Sequence, residues 1–313
     1  MTADAAIDIL LATHDGERHV ADQVASILAQ SHPGWTLTVR DDGSTDGTLR
    51  VVRELADQNP DRMTVTARAS ASGSAKQNFL EMLVASRARY VMFADPDDVW
   101  HPDKVARTLA RMTELEARLG ADTPLLVHTD LTVTDANLYV TAASMVHAQQ
   151  LDGTESRLAR LSVQNTVTGC TVMVNRALAE LVVPPFDAVA MHDWWLAMMA
   201  SAFGAIGFVD SPTVLYRQHG GNAVGARPSR SLAYKVNRLL DKEGVRDSLR
   251  ASFAQADAFL AQYSDRLSAE QTELLRAYVS IPALGKVGRV LAIRRHGFWK
   301  NTTARRLGQL LYV

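Results

Sequence analysis

The chain has one cysteine, Cys170, so no intrachain disulfide can form and a reducing compartment suits it. A small buried side chain is the expected role for that thiol, not a nucleophile. No apolar run approaches the ~18–20 residues of a membrane-spanning helix. The start, Met1-Thr2-Ala3-Asp4, lacks the basic opening of a secretory signal, and an apolar strand follows at once. A cytoplasmic protein is therefore expected. There is no internal repeat and no low-complexity tract. Nor is there an excess of charge: 33 basic and 34 acidic residues leave a net charge of −1 and no global argument for nucleic acid. The balance fails only at the end. From Ile281 to Val313 there are Lys286, Arg289, Arg294, Arg295, Lys300, Arg305 and Arg306 and no acid, with aliphatic and aromatic residues between them. This reads either as a solvated helical tail or as a basic amphipathic surface for peripheral contact with anionic lipid.

The apolar pattern is that of an α/β protein. Ile7–Ala12, Trp35–Val39, Met63–Thr66 and Tyr90–Ala94 read as buried strands. Each is followed by a helical pattern, over Val20–Gln30, Asp46–Asp57, Ser74–Ser86 and Pro102–Leu119. Four β-α units in succession predict a largely parallel sheet. Strands are expected at Leu125–His128, Thr166–Val174, Ala205–Val209 and Thr213–Gln218, and a helix at Trp194–Phe203. Beyond them only helical patterns remain, over Leu232–Tyr263 and Ala269–Val279. The expected division is 1–226 as an α/β domain and 227–313 as a helical extension.

Two acidic clusters stand where buried strands end, which is where open α/β sheets bind ligands. The first, Asp41-Asp42-Gly43-Ser44-Thr45-Asp46-Gly47-Thr48, has three readings. It is a plain turn, a calcium loop, or a nucleotide contact in which a carboxylate accepts from base or ribose. The calcium register fails, because Arg53 stands where the loop requires a bidentate Glu. The nucleotide reading is favoured for Asp41 and Asp42, with Asp46 as a helix cap. The second cluster is Asp95-Pro96-Asp97-Asp98. Alternate residues of an extended segment share a face, so Asp95 and Asp97 can share a divalent cation with a diphosphate. Asp98 is either a third ligand or a cap.

Further pieces share the order of a known family. They are Ala12-Thr13-His14-Asp15-Gly16, Gly73 with Asn78-Phe79, and Phe93 to Trp100 followed by Pro102 and Lys104. Thr168-Gly169-Cys170, His192-Asp193-Trp194-Trp195 and Tyr216-Arg217-Gln218-His219 with Asn222 complete the set. Together with the acidic clusters they resemble the inverting family 2 glycosyltransferases of GT-A fold, over roughly Ile7–Gly225. The combination is most similar to the rhamnosyltransferase-like branch, whose donor is commonly dTDP-L-rhamnose. One departure is Arg40, where an apolar strand residue is usual.

The resemblance implies roles. Thr13 and Asp15 would line the base pocket, with Asp41 or Asp42 on base or ribose and Asn78 beside the nucleotide. Asp95 would touch ribose or metal, and Asp97 and His219 would hold Mg2+ or Mn2+. Arg217 would lie near the diphosphate, and Asp193 would be the catalytic base. Thr168, Gly169, Trp194 and Trp195 would meet the acceptor, although at least one tryptophan is expected in the core. The donor would be a dTDP- or UDP-sugar and the acceptor a glycan or lipid-linked saccharide in cell-surface polysaccharide biosynthesis. Two rivals stay open. A sugar-1-phosphate nucleotidyltransferase would want a glycine-rich loop with a basic residue after the first strand, and Ala12-Thr13-His14-Asp15-Gly16-Glu17 lacks it. A calcium-dependent carbohydrate-binding module would need neither base nor nucleotide pocket.

Overall fold

The computed structural model describes residues 7–69, 71–218 and 242–313. His219, Asn222 and the expected boundary at 226/227 lie outside them. The strands are β1 (Ile7–Thr13), β2 (Trp35–Asp41), β3 (Met63–Ala67), β4 (Tyr90–Ala94), β5 (Val99–Trp100), β6 (Leu125–Thr134), β7 (Val140–Ala142), β8 (Met173–Asn175) and β9 (Ala205–Arg217). The first helices are α1 (Val20–Leu28), α2 (Thr48–Gln58), α3 (Ala75–Ala85) and α4 (Lys104–Leu119). Three short ones follow, α5 (Met145–Gln149), α6 (Leu158–Leu161) and α7 (Arg176–Ala179), and then α8 (His192–Phe203). The last four are α9 (Lys242–Gln262), α10 (Ala269–Ser280), α11 (Lys286–His296) and α12 (Thr303–Tyr312).

One sheet runs in the order β3-β2-β1-β4-β8-β6-β9-β5, with β7 on β6. Strands β3, β2, β1 and β4 pair in parallel. Strand β8 lies antiparallel between β4 and β6, so β6 and its parallel neighbour β9 again point the same way. The sheet is thus mixed but mostly parallel. All seven residues of β1 are buried, as expected of a strand covered on both faces. Its odd residues, Ile7, Ile9 and Leu11, pack with α1 and α4; Leu10 and Ala12 pack with α3 and α8. The order reverses between β1 and β4, and a crevice opens outside their carboxyl ends.

Two expectations change. The stretch Thr166–Val174 is not one strand: a 3-10 turn at Gly169–Thr171 precedes the short β8. The two strands expected over 205–218 are one, β9, whose register against β6 shifts at Asp130 and lets Pro212 into the sheet. The C-terminal helices have no core of their own. Val245, Phe259, Leu275, Ile293 and Phe298 share one with α8, and the Trp195 ring meets Phe259 at 5.2 Å.

Candidate active site

A cleft of about 1380 Å³ occupies the switch point of the sheet. Its walls come from the ends of β1, β2 and β4, from the start of α3, from residues 164–169 and from the start of α8. Thr13, Asp15, Asp42, Asn78, Asp95, Asp97, Thr168, Gly169, Asp193 and Trp194 all line it.

At one end the first acidic cluster is held by hydrogen bonds between strand ends. Thr13 and Asp41 are register partners, and the Thr13 hydroxyl donates to Asp41 Oδ1 at 3.0 Å. Asp41 also accepts from Ser44 N–H at 2.9 Å, is 1 % exposed and does not line the cleft. Its neighbour Asp42 does, and accepts from Ser72 N–H at 2.8 Å and Ser72 Oγ at 2.7 Å. Asp15 takes a left-handed backbone with φ +46°, and its carboxylate accepts the Thr45 N–H at 2.7 Å. That bond draws its pKa below the ordinary value. Asp46 accepts the Thr48 N–H at 2.9 Å and the Glu17 N–H at 3.1 Å, but it is not the cap expected of it: Gly47 holds the N-cap position of α2. Arg40 turns away from the cleft: its guanidinium donates to Asn78 Oδ1, to Asn78 O at 3.0 Å and to Glu81 at 2.8 Å. Asn78 therefore stands in the wall with its amide oxygen already engaged.

The second cluster divides. Asp95 and Asp97 are partly exposed and face the cleft, whereas Asp98 is fully buried. Asp98 Oδ1 accepts the Arg217 N–H at 3.2 Å, so it is not a helix cap. Behind it are the Cys170 thiol, whose pKa burial and the nearby carboxylates push well up, and the buried Lys104. The Lys104 ammonium stands 4.6 Å from the Trp100 ring centre, and burial draws its pKa down to about 8. Asp95, Asp98 and Cys170 bring potential ligand atoms within 4.8 Å of one another. A protonated thiol is a poor ligand, however, and leaves an oxygen donor set.

Arg217 has a different place from the expected one. Its guanidinium donates to Asp97 O at 2.9 Å, Ala136 O at 2.8 Å and Asp22 Oδ2 at 3.0 Å, and it does not line the cleft. It braces the Asp97 loop from behind. The pattern of residue types marked its position but not the direction of its side chain, since Asp22 lies far away in the chain.

Asp193 lies in the first turn of α8, 7 % exposed, and accepts the Trp194 N–H at 2.7 Å. Burial pushes its pKa up to about 6, opposed by hydrogen bonds from Trp194 and Gly169 N–H and the Asn165 side chain. The preceding residue, His192, is buried with its ring centre 4.4 Å from that of Phe79 and 5.3 Å from that of Phe93. Desolvation draws it down to about 3, so it is neutral. A Cβ at Gly169 would come within 2.6 Å of His192 Nε2. That close approach leaves no room for a side chain at position 169. Trp194 lines the cleft while its ring N–H donates to Leu161 O. Trp195 is 1 % exposed and packs on Phe259 and Tyr263, away from the cleft, so it has no surface to offer an acceptor.

Enclosure of Asp95, and then the charges of Asp97 and Asp193, raise the Asp95 pKa. Carboxylates gathered in this way are relieved by a cation, and their hard oxygens suit Mg2+ or Mn2+. Residues 8–126 match the model described as glycosyl transferase family 2. Over that stretch the chain is similar to the family 2 glycosyltransferases. It is 25% identical over 244 residues to the dTDP-rhamnosyl transferase RfbG of Shigella flexneri, covering 72% of this chain and 77% of that one. It is 28% identical over 203 residues to TuaG of Bacillus subtilis (strain 168), named as a teichuronic acid biosynthesis glycosyltransferase, covering 64% and 75%. Among solved structures, S. aureus TarS 1-349 in complex with UDP-GlcNAc superposes with a TM-score of 0.56 at 15% identity, over 98% of this chain and 88% of that one. The mannosyltransferase PcManGT of Pyrobaculum calidifontis, in complex with GDP-Man and Mn2+, gives 0.53 at 17%, over 96% and 78%. These likenesses show the GT-A fold.

Proposed function

We propose that this glycosyltransferase moves L-rhamnose from dTDP-L-rhamnose to a hydroxyl of a glycan or lipid-linked saccharide, with inversion, in the building of a cell-surface polysaccharide. The observation that carries the reaction type is the meeting of Asp95 and Asp97 with a raised-pKa Asp193 in one cleft. The donor rests on similarity to RfbG, and the pathway on RfbG and TuaG together. The transferase unit is 1–226 and the helical extension 227–313. The work belongs on the cytoplasmic side, where an unpaired cysteine is at home.

In this reading Asp42 and Asp15 meet the nucleoside end, with Thr13 beside them and Asp41 supporting from behind. Asp97, braced by Arg217, faces the diphosphate with Asp95. Asp95 and Asp97 would hold a divalent cation, which when bound supplies Lewis-acid stabilisation of the departing diphosphate. Asp193 takes the proton of the acceptor hydroxyl as that oxygen bonds to the anomeric carbon and the bond to the nucleoside diphosphate breaks. One displacement with one base inverts the centre. Its transition state has oxocarbenium character, as in glycoside hydrolysis. Trp194 and Thr168 flank the acceptor, and Gly169 leaves room for His192 behind the base.

The test is a donor screen with dTDP-, UDP- and GDP-sugars, each with Mg2+, Mn2+ or chelator. Release of dTDP from dTDP-rhamnose well above release from the others supports the reading. Preferential turnover of a UDP-hexose would discard rhamnose and keep the chemistry. No turnover of any sugar nucleotide under acceptor-saturated conditions would overturn both.

A further inference from the structure

The basic end of the chain folds as a helical hairpin. Helices α11 and α12 are joined by residues 297–302, and Lys286 at the start of α11 donates to Leu310 O at 2.5 Å and Leu311 O at 3.0 Å at the end of α12. Part of the hairpin is packed: Ile293, Phe298 and Gly308 are buried. Val287 and Leu291 on α11 and Leu307 and Leu311 on α12 are instead 73 %, 60 %, 51 % and 61 % exposed. Each pair has i, i+4 spacing and so lies on one face of its helix. Exposed Arg294 and Arg295 continue the α11 stripe one turn further, and exposed Arg306 adjoins Leu307. No acid occurs between Ile281 and Val313. A merely solvated face needs no such aliphatic stripes, and arginines in the last turn of α11 satisfy only the helix dipole. Among the described residues no helix is long and apolar enough to cross a membrane.

We propose that this hairpin docks on an anionic membrane surface, with the four aliphatic side chains entering the interfacial layer and the arginines meeting lipid phosphates. Aliphatic side chains flanked by uncompensated positive charge match the headgroup boundary of an anionic leaflet. The hairpin is also wired to the cleft. The Asn301 N–H in its connection donates to Gln164 Oε1 at 3.0 Å, and Gln164 lines the cleft next to Asn165, a hydrogen-bond partner of Asp193. Docking would bring the acceptor wall toward the bilayer, where a lipid-linked saccharide is anchored. This last step rests on the acceptor proposed above; the docking does not.

The experiment is co-sedimentation of the full chain, without substrate, with vesicles of phosphatidylcholine alone or mixed with phosphatidylglycerol. Donor hydrolysis in solution is measured on the same preparations. Binding to the mixed vesicles only is expected, falling at least about tenfold in a Val287→Ser/Leu291→Ser/Leu307→Ser/Leu311→Ser variant and similarly in Arg294→Gln/Arg295→Gln. Hydrolysis should be unchanged in both variants, which also reports that they fold. Equal binding to both vesicle types, no binding, or full binding by both variants would overturn the proposal. So would a concentration-dependent dimer that the serine variant abolishes, since the stripe would then be covered by a second copy. Failure of the rhamnose reading would appear in the donor assay and leave vesicle binding intact.

Discussion

Replacing Asp193 by Asn separates a catalytic base from a residue that merely starts a helix. The substitution is nearly isosteric, and an Asn Oδ1 can still accept the Trp194 N–H that Asp193 accepts at 2.7 Å. What disappears is the proton acceptor. Loss of a general base costs roughly 10²–10⁴ in rate, or about 3–5 kcal/mol of barrier. Stability should move the other way. The folded pKa of about 6 stands above the ordinary 3.8, so the folded state holds the extra proton between those values. Stability therefore falls as pH rises through that window and stays lower above it. The difference of about two units corresponds to at most about 3 kcal/mol at neutral pH, which an uncharged Asn regains. The metal-free Asp193→Asn protein should melt a few degrees higher at pH 7.5 and show no gain near pH 3.8. Transfer should be lost while nucleotide still binds, measured by product release and by nucleotide titration. In the parent enzyme kcat should fall tenfold per pH unit below about pH 6, because the base must be ionised. Near-normal turnover in the variant refutes the assignment. Lost transfer with a lower melting temperature would make Asp193 a structural residue.

Asp97→Ala should weaken Mn2+-dependent binding of dTDP while leaving metal-free binding unchanged; calorimetric titrations that agree with and without Mn2+ would remove Asp97 from the cation site. Gly169→Ala places a methyl 2.6 Å from His192 Nε2, against a ring backed by Phe79 and Phe93. It should cost about 1–3 kcal/mol in stability and roughly 10²-fold in kcat with the donor KM unchanged, in denaturation and steady-state assays. Trp195→Ala should cost about 3–5 kcal/mol, read by urea unfolding, because the ring joins α8 to α9. A neutral result there would return Trp195 to the cleft wall.

The first half of the sheet was legible because its strands are short apolar runs with both faces buried, each ending in residues that would be costly inside. That rule failed where polar side chains are buried and satisfied within the sheet. Every residue of β6 is buried, yet Asp130, Thr132 and Thr134 broke the apolar run and hid its second half. The Thr129 and Thr213 hydroxyls meet at 2.6 Å, and Thr134 Oγ1 donates to Tyr216 O at 3.2 Å. These bonds offset the desolvation that a pattern of hydropathy counts as exposure. The site divides along the same line. Asp95, Asp97 and Asp193 stand at strand and helix ends where local order shows them, so their positions were readable. Arg217 and Asp98 were marked by residue type but not by direction, because each is fixed by partners distant in the chain. Arg217 faces Asp22 through a contact spanning most of the domain, and Asp98 meets Arg217, Cys170 and Lys104 in the interior. The Arg217 guanidinium is held by two carbonyls and the exposed Asp22, and Asp98 by the Arg217 backbone N–H, so the motif residue that faces the ligand and the one that holds its loop differ in their partners. That distinction exists only once the chain is folded.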